Sequence, residues 1–153
     1  MKEKFSYQEI FNIDEKKIEY EKVFSFEGKS IDIENKKFLF VKESSLQKLS
    51  YLAFYNISHY LRSSHLSKLK KIILDKEASN NDKYVAFSLL KNANTSSGGI
   101  LPMCQDTGTA LIIAKKGVNV VTSGKDSFFL SKGVYNCFLK NNLRYSQVAA
   151  KSM

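Results

Sequence analysis

Residues 36–61 read KKFLFVKESSLQKLSYLAFYNISHYL, and the texture of the chain changes at Lys42. Before it the apolar residues come as one compact aromatic and aliphatic run, Phe38 to Val41. After it Leu46, Leu49, Ala53, Ile57, Tyr60 and Leu61 fall three or four apart. The first pattern predicts a strand and the second an amphipathic helix over 44–61. Strand followed by helix, with more of each on either side, reads as an α+β fold: several amphipathic helices packed with a small, largely antiparallel sheet.

Toward the N-terminus, residues 19–41 hold short aromatic and β-branched runs broken at Glu27-Gly28 and Glu34-Asn35, which predicts two or three short strands with turns. Residues 1–18 form a polar segment. Toward the C-terminus, Arg62-Ser63-Ser64 interrupts the helix, and Leu66, Leu69, Ile72 and Ile73 carry a second one over 65–75. A third, over 80–94, starts after Ser79, whose hydroxyl can cap it while Asp82 sits in the first turn. Asn92–Gly99, NANTSSGG, reads as a flexible polar approach to the single proline, Pro102. Next, ALIIA, KKG and VNVV predict a β-hairpin or two neighbouring strands within 109–122. Ser123 and Asp126 signal the start of a last helix over 126–141, with Leu130, Val134, Cys137 and Phe138 on its inner face.

At 153 residues, with 43% hydrophobic and 12% aromatic content, the chain suits one domain with a core and is too apolar for disorder. Two cysteines make no disulfide scaffold and fit a reducing compartment. The N-terminus lacks an apolar signal region, carries Glu3, Glu9 and Asp14 where an import presequence avoids acids, and no run is long enough to span a membrane. Those features place the protein in the cytoplasm or the mitochondrial matrix, with no membrane partner. A net charge of +9 raises a basic nucleic-acid-binding module as an alternative. Only Arg62 and Arg144 are arginines, and the lysines alternate with acids, which argues for a solvated basic surface and no nucleic-acid partner.

Cys137, on an apolar helical stripe, reads as a small buried hydrophobe. His59 and His65 are six apart across a helix break, so they lack the spacing that sets two imidazoles on one metal. Cys104 is different. It stands in GILPMCQDTGT, residues 99–109, followed by three polar side chains that would need partners if buried. A loop fixed by Pro102 and Gly108 can instead present a thiolate, an amide and a carboxylate together, to ligate a metal and orient a polar substrate. One thiolate makes no closed site, so if Cys104 binds a metal, most of its companion ligands are expected outside this chain.

The stretch from Glu77 to Gln147, with PMCQDTGTA followed by NLRYS, closely resembles class I fumarate hydratases, the oxygen-sensitive iron–sulfur fumarases. FSYQEIF and LRSSHL are similar to the N-terminus of their long single-chain form, and the signature is shared with tartrate dehydratases. The resemblance implies a lyase that interconverts (S)-malate and fumarate, a tricarboxylic acid cycle reaction, with tartrate dehydration as the alternative. It implies a [4Fe–4S] cluster held by three cysteines, with one iron left open as Lewis acid. Cys104 matches the first of those ligands, and Cys137 matches none. Gln105 and Asp106 match residues that contact the dicarboxylate, and Arg144 matches an arginine that clamps a substrate carboxylate. The catalytic threonine and lysine of the family match nothing in this chain. Residues 19–153 then correspond to part of the larger N-terminal domain of a homodimeric enzyme several times longer, cut short at its C-terminal end. By itself the chain is expected to hold no stable cluster and to be inactive.

Overall fold

The computed structural model describes residues 22–104 and 109–144. Two strands come first, β1 (Gly28–Ile33) and β2 (Lys36–Val41), paired antiparallel with Gly28 opposite Val41 and Ile33 opposite Lys36. Their two-residue connection puts both Glu34 (φ 47°) and Asn35 (φ 59°) in the left-handed region. That geometry matches the natural twist of a hairpin, and asparagine tolerates it well. Gly28 faces the Phe40 carbonyl so closely that a Cβ there would overlap it.

Helix α1 (Glu43–His59) follows β2 directly, then α2 (Ser63–Leu74) and α3 (Asn80–Ser96). The two-residue β3 (Val120–Val121) leads into α4 (Asp126–Lys140). The sheet order is β1-β2-β3, and β3 lies parallel to β2, with Leu39 opposite Val120 and Phe40 opposite Val121. Each of these parallel strands therefore feeds a helix, and the two helices pack side by side. They run in the same sense. Glu43, at the start of α1, meets Ser123 and Lys125 ahead of α4, and further along Phe54 lies 6.5 Å from Phe138.

Contact between α1 and α4 depends on a missing side chain. A Cβ at Gly133 would overlap Ser50 Oγ and the Gln47 carbonyl. With glycine there, Ser50 donates its hydroxyl to the Leu130 carbonyl at 2.8 Å. Cys137 is 0% exposed at this interface, as its place in the stripe predicts. Helices α2 and α3 form a second pair, with Leu69, Ala86 and Ala93 buried. At the start of α3, Ser79 and Asp82 form a reciprocal capping box, which satisfies two of the otherwise orphaned donors.

The α+β class holds, and two local expectations are corrected. Residues 109–122 form no hairpin. Only Val120–Val121 is strand, and its partner is β2 rather than ALIIA, because β2 offers a free edge in line with it. The polar run NANTSSGG is no flexible approach at its start, since α3 continues through Ser96. Its hydroxyls find partners without leaving the helix, bonding back onto helix carbonyls (Thr95 to Lys91 at 3.1 Å, Ser96 to Ala93 at 3.0 Å). Helix α4 starts at Asp126, as expected, with Ser123 three residues ahead of it. The cap position is Lys125 and has no side-chain bond. Ser123 binds Glu43.

Candidate functional site

A helix ends with carbonyls that have no partner within the helix. At the end of α1, those of Ser58 and His59 are taken up by the rest of the chain. Ser96 Oγ, from the last turn of α3, donates to the His59 carbonyl at 3.0 Å. The backbone N–H of Met103 donates to the Ser58 carbonyl at 2.8 Å. The loop that follows α3 is thus fastened to the end of α1, and Met103 is buried there.

Three further bonds hold the same loop. Tyr55 donates its hydroxyl to the Gly99 carbonyl at 3.4 Å, and Asn142 Nδ2 donates to the Ile100 carbonyl at 3.1 Å. Gly99 has φ 74°, where a side chain would be strained and would meet the Tyr55 hydroxyl. The backbone N–H of Cys104 donates to Asn92 Oδ1, on α3, at 2.9 Å. Helices α1 and α3 and the end of α4 therefore converge on residues 99–104. Cys104 itself is a free, exposed thiol, aimed away from the core that fixes its backbone.

Arg144 follows buried Leu143 and is exposed, two residues past the asparagine that holds Ile100. The sequence separates Cys104 from Arg144 by a strand and a helix, and the Asn142 side chain, two residues before Arg144, reaches the loop at Ile100, four before Cys104. Gln105 and Asp106 lie outside the described residues.

His59 is completely buried. Its Nδ1 lies 2.8 Å from the Tyr55 carbonyl, its ring stacks on Tyr55 at 4.4 Å, and its Nε2 has no hydrogen-bond partner. His65, in contrast, is exposed on α2. The two imidazoles have separate surroundings, in line with their spacing.

Burial pushes the Cys137 thiol up, against a smaller opposing contribution from Asn141. That keeps Cys137 protonated and inert as a ligand. On the far side, Asp126 is held below the ordinary carboxylate value, first by the Thr122 hydroxyl and then by Lys116, whose Nζ lies 3.0 Å away. This pair ties the chain ahead of β3 to the start of α4 and belongs to the frame. Among the described residues no three His, Cys, Asp or Glu side chains gather as a metal-holding group. What the geometry offers is one exposed thiol on a loop whose backbone is tethered to its surroundings.

Asn92, Ser58, Ser96 and Asn142 are the residues that sequence reasoning missed. Asn92 and Ser96 each interrupt the apolar face of α3, and that was the available signal. Ser58 acts through its carbonyl, which no side-chain pattern can show.

The sequence profile of the fumarate hydratase (fumerase) family matches residues 47–153. Fumarate hydratase 1, mitochondrial, of Leishmania major is 54% identical over 113 residues, 74% of this chain and 21% of that protein. Fumarate hydratase class I, anaerobic, of Escherichia coli (strain K12) is 48% identical over 120 residues, 78% of this chain and 22% of that protein. Fumarate hydratase class I, aerobic, of Salmonella typhimurium (strain LT2) is 42% identical over 149 residues, 97% of this chain and 26% of that protein. The chain spans between a fifth and about a quarter of the length of these relatives. No described helix is long and apolar enough to cross a membrane.

Proposed function

The chain belongs to the fumarate hydratase family, and we propose that it forms part of a longer class I enzyme that interconverts (S)-malate and fumarate. Residues 19–153 then make up part of the N-terminal domain, preceded by the polar segment 1–18. The observation that carries the reading is Cys104: an exposed thiol on a loop tied to three helices, within a chain matched to hydratases over most of its length.

In this reading Cys104 is one of the thiolate ligands of a [4Fe–4S] cluster. A thiolate is the right soft ligand for iron, and the tethers from Asn92 and Ser58 hold its backbone while the side chain stays open. When bound, the cluster supplies a Lewis-acidic iron that polarises the substrate hydroxyl. Gln105 and Asp106 contact the dicarboxylate. Arg144 clamps one carboxylate with its guanidinium fork, a bidentate hold that lysine cannot copy. Asn142, bonded to Ile100, keeps the backbone that bears Arg144 beside the loop that bears Cys104. The enzyme works as a homodimer in the cytoplasm or the mitochondrial matrix, the latter suggested by the name of the Leishmania relative.

A chimera tests this. Residues 1–153 replace the matching stretch of the Escherichia coli anaerobic enzyme, and the product is reconstituted with iron and sulfide without oxygen. Turnover of (S)-malate is the expected result; a folded, iron-loaded chimera that leaves malate untouched contradicts it. Faster turnover of tartrate would reassign the substrate. Arg144→Lys should cost about 2–3 kcal/mol of transition-state binding, roughly a 30- to 150-fold fall in kcat/KM. Unchanged kinetics would remove Arg144 from the substrate site.

A further inference from the structure

The run Ala110–Ala114, ALIIA, is apolar throughout, yet it carries no secondary structure and no backbone hydrogen bond among the described residues. Its side chains nonetheless alternate. Ala110, Ile112 and Ala114 face α4 across an open cleft of about 450 Å³, lined on the helix side by Ser127, Leu130, Ser131 and Val134. Leu111 and Ile113 face away, 74% and 71% exposed. A segment with apolar residues on both faces has the composition of a strand covered on both sides. Among the described residues one face has only an open cleft over α4, nothing covers the other, and the backbone amides lack the partners that a buried strand must have.

We propose that Ala110–Ala114 is a docking strand, completed by strand pairing with a segment from the remaining part of the longer enzyme, which also covers Leu111 and Ile113. The inference rests on the reading of this chain as part of a longer hydratase. Two observations commit it to that occupant. The chain spans only a fifth to about a quarter of its relatives, so the longer enzyme has ample chain to supply. The run also begins six residues after Cys104, whose backbone Asn92 holds, so pairing it would fix the chain a short way downstream of the thiol. Completion of the sheet and completion of the metal site would then be one event.

The test is amide hydrogen exchange at residues 110–114, measured in the 153-residue chain and in the chimera. Fast exchange in the chain and exchange slowed at least 100-fold in the chimera is the expected result. Fast exchange in both overturns the proposal. Slow, concentration-dependent exchange in the chain alone also overturns it, because a second copy would then be the occupant. In the chimera, Leu111→Asp with Ile113→Asp should restore fast exchange at 110–114, whereas Val118→Asp, at a fully exposed position, should not. A double variant that keeps slow exchange counts against the proposal. Because exchange is read without any assay of turnover, a chimera that protects the strand but ignores malate would sink the hydratase reading and leave the docking strand standing.

Discussion

The α1–α4 pair and the described residues between 98 and 118 are held in different ways. Between the helices, contact is continuous: Gly133 removes a side chain, Ser50 fills the space and donates to Leu130, and Cys137 is sealed in. The described part of the segment is instead held at points, at Gly99, Ile100, Met103 and Cys104, and further on Leu111, Ile113 and Val118 stand in solvent. Close packing gives rigidity and hides chemistry, whereas point attachment fixes a backbone and leaves the side chain free. The two cysteines show the difference. The same thiol is inert in one place and available in the other.

The sharpest way to break this contrast is at Gly133. Gly133→Val forces a side chain into Ser50 and the Gln47 backbone, neither of which can yield without parting two helices. A loss of about 3 kcal/mol is expected in urea unfolding. An unshifted midpoint would mean that α1 and α4 do not meet there.

The thiols give the next largest difference. An alkylating reagent should label Cys104 in the native chain and Cys137 only after denaturation. Cys137 is both inaccessible and biased toward the unreactive protonated form by its burial. Mass mapping of the labelled peptides decides it, and equal native labelling of both would contradict the account.

Smaller effects sharpen the description of the frame. Ser79→Ala removes the capping box of α3 and should cost about 1 kcal/mol, read as a lower thermal midpoint. Asp126→Asn should do least. Its carboxyl is held below the ordinary value of 3.8, so its contribution is present above that value and disappears as pH falls through and below it. The variant should therefore melt slightly lower than the parent at neutral pH, with the gap closing on acidification; a gap that widens in acid would reverse the sign.

These predictions also mark where local sequence was sufficient. The strand–helix switch at Lys42, the Ser79–Asp82 cap and the apolar stripe that hides Cys137 are all set by residues within a few positions of one another. Strand partners are not. VNVV and ALIIA look like natural neighbours, yet Val120 and Val121 pair with Leu39 and Phe40, some 80 residues earlier, which no local pattern encodes. The site divides in the same way. The exposure of Cys104 follows from the polar residues after it, whereas its support comes from Asn92, the Ser58 carbonyl and Asn142, contributed by three separate helical regions. Polar residues at helix ends have many possible partners, and only the fold selects among them.

The central claim is that Cys104 is the cysteine of this chain that serves as a metal ligand. It is tested most directly in the chimera after anaerobic iron and sulfide reconstitution, by counting iron and sulfide per chain and recording visible absorption for Cys104→Ser and Cys137→Ala. The account predicts that Cys137→Ala loads as much cluster as the parent chimera while Cys104→Ser loads little or none. A Cys104→Ser chimera that retains the full iron content and absorption of the parent would contradict it.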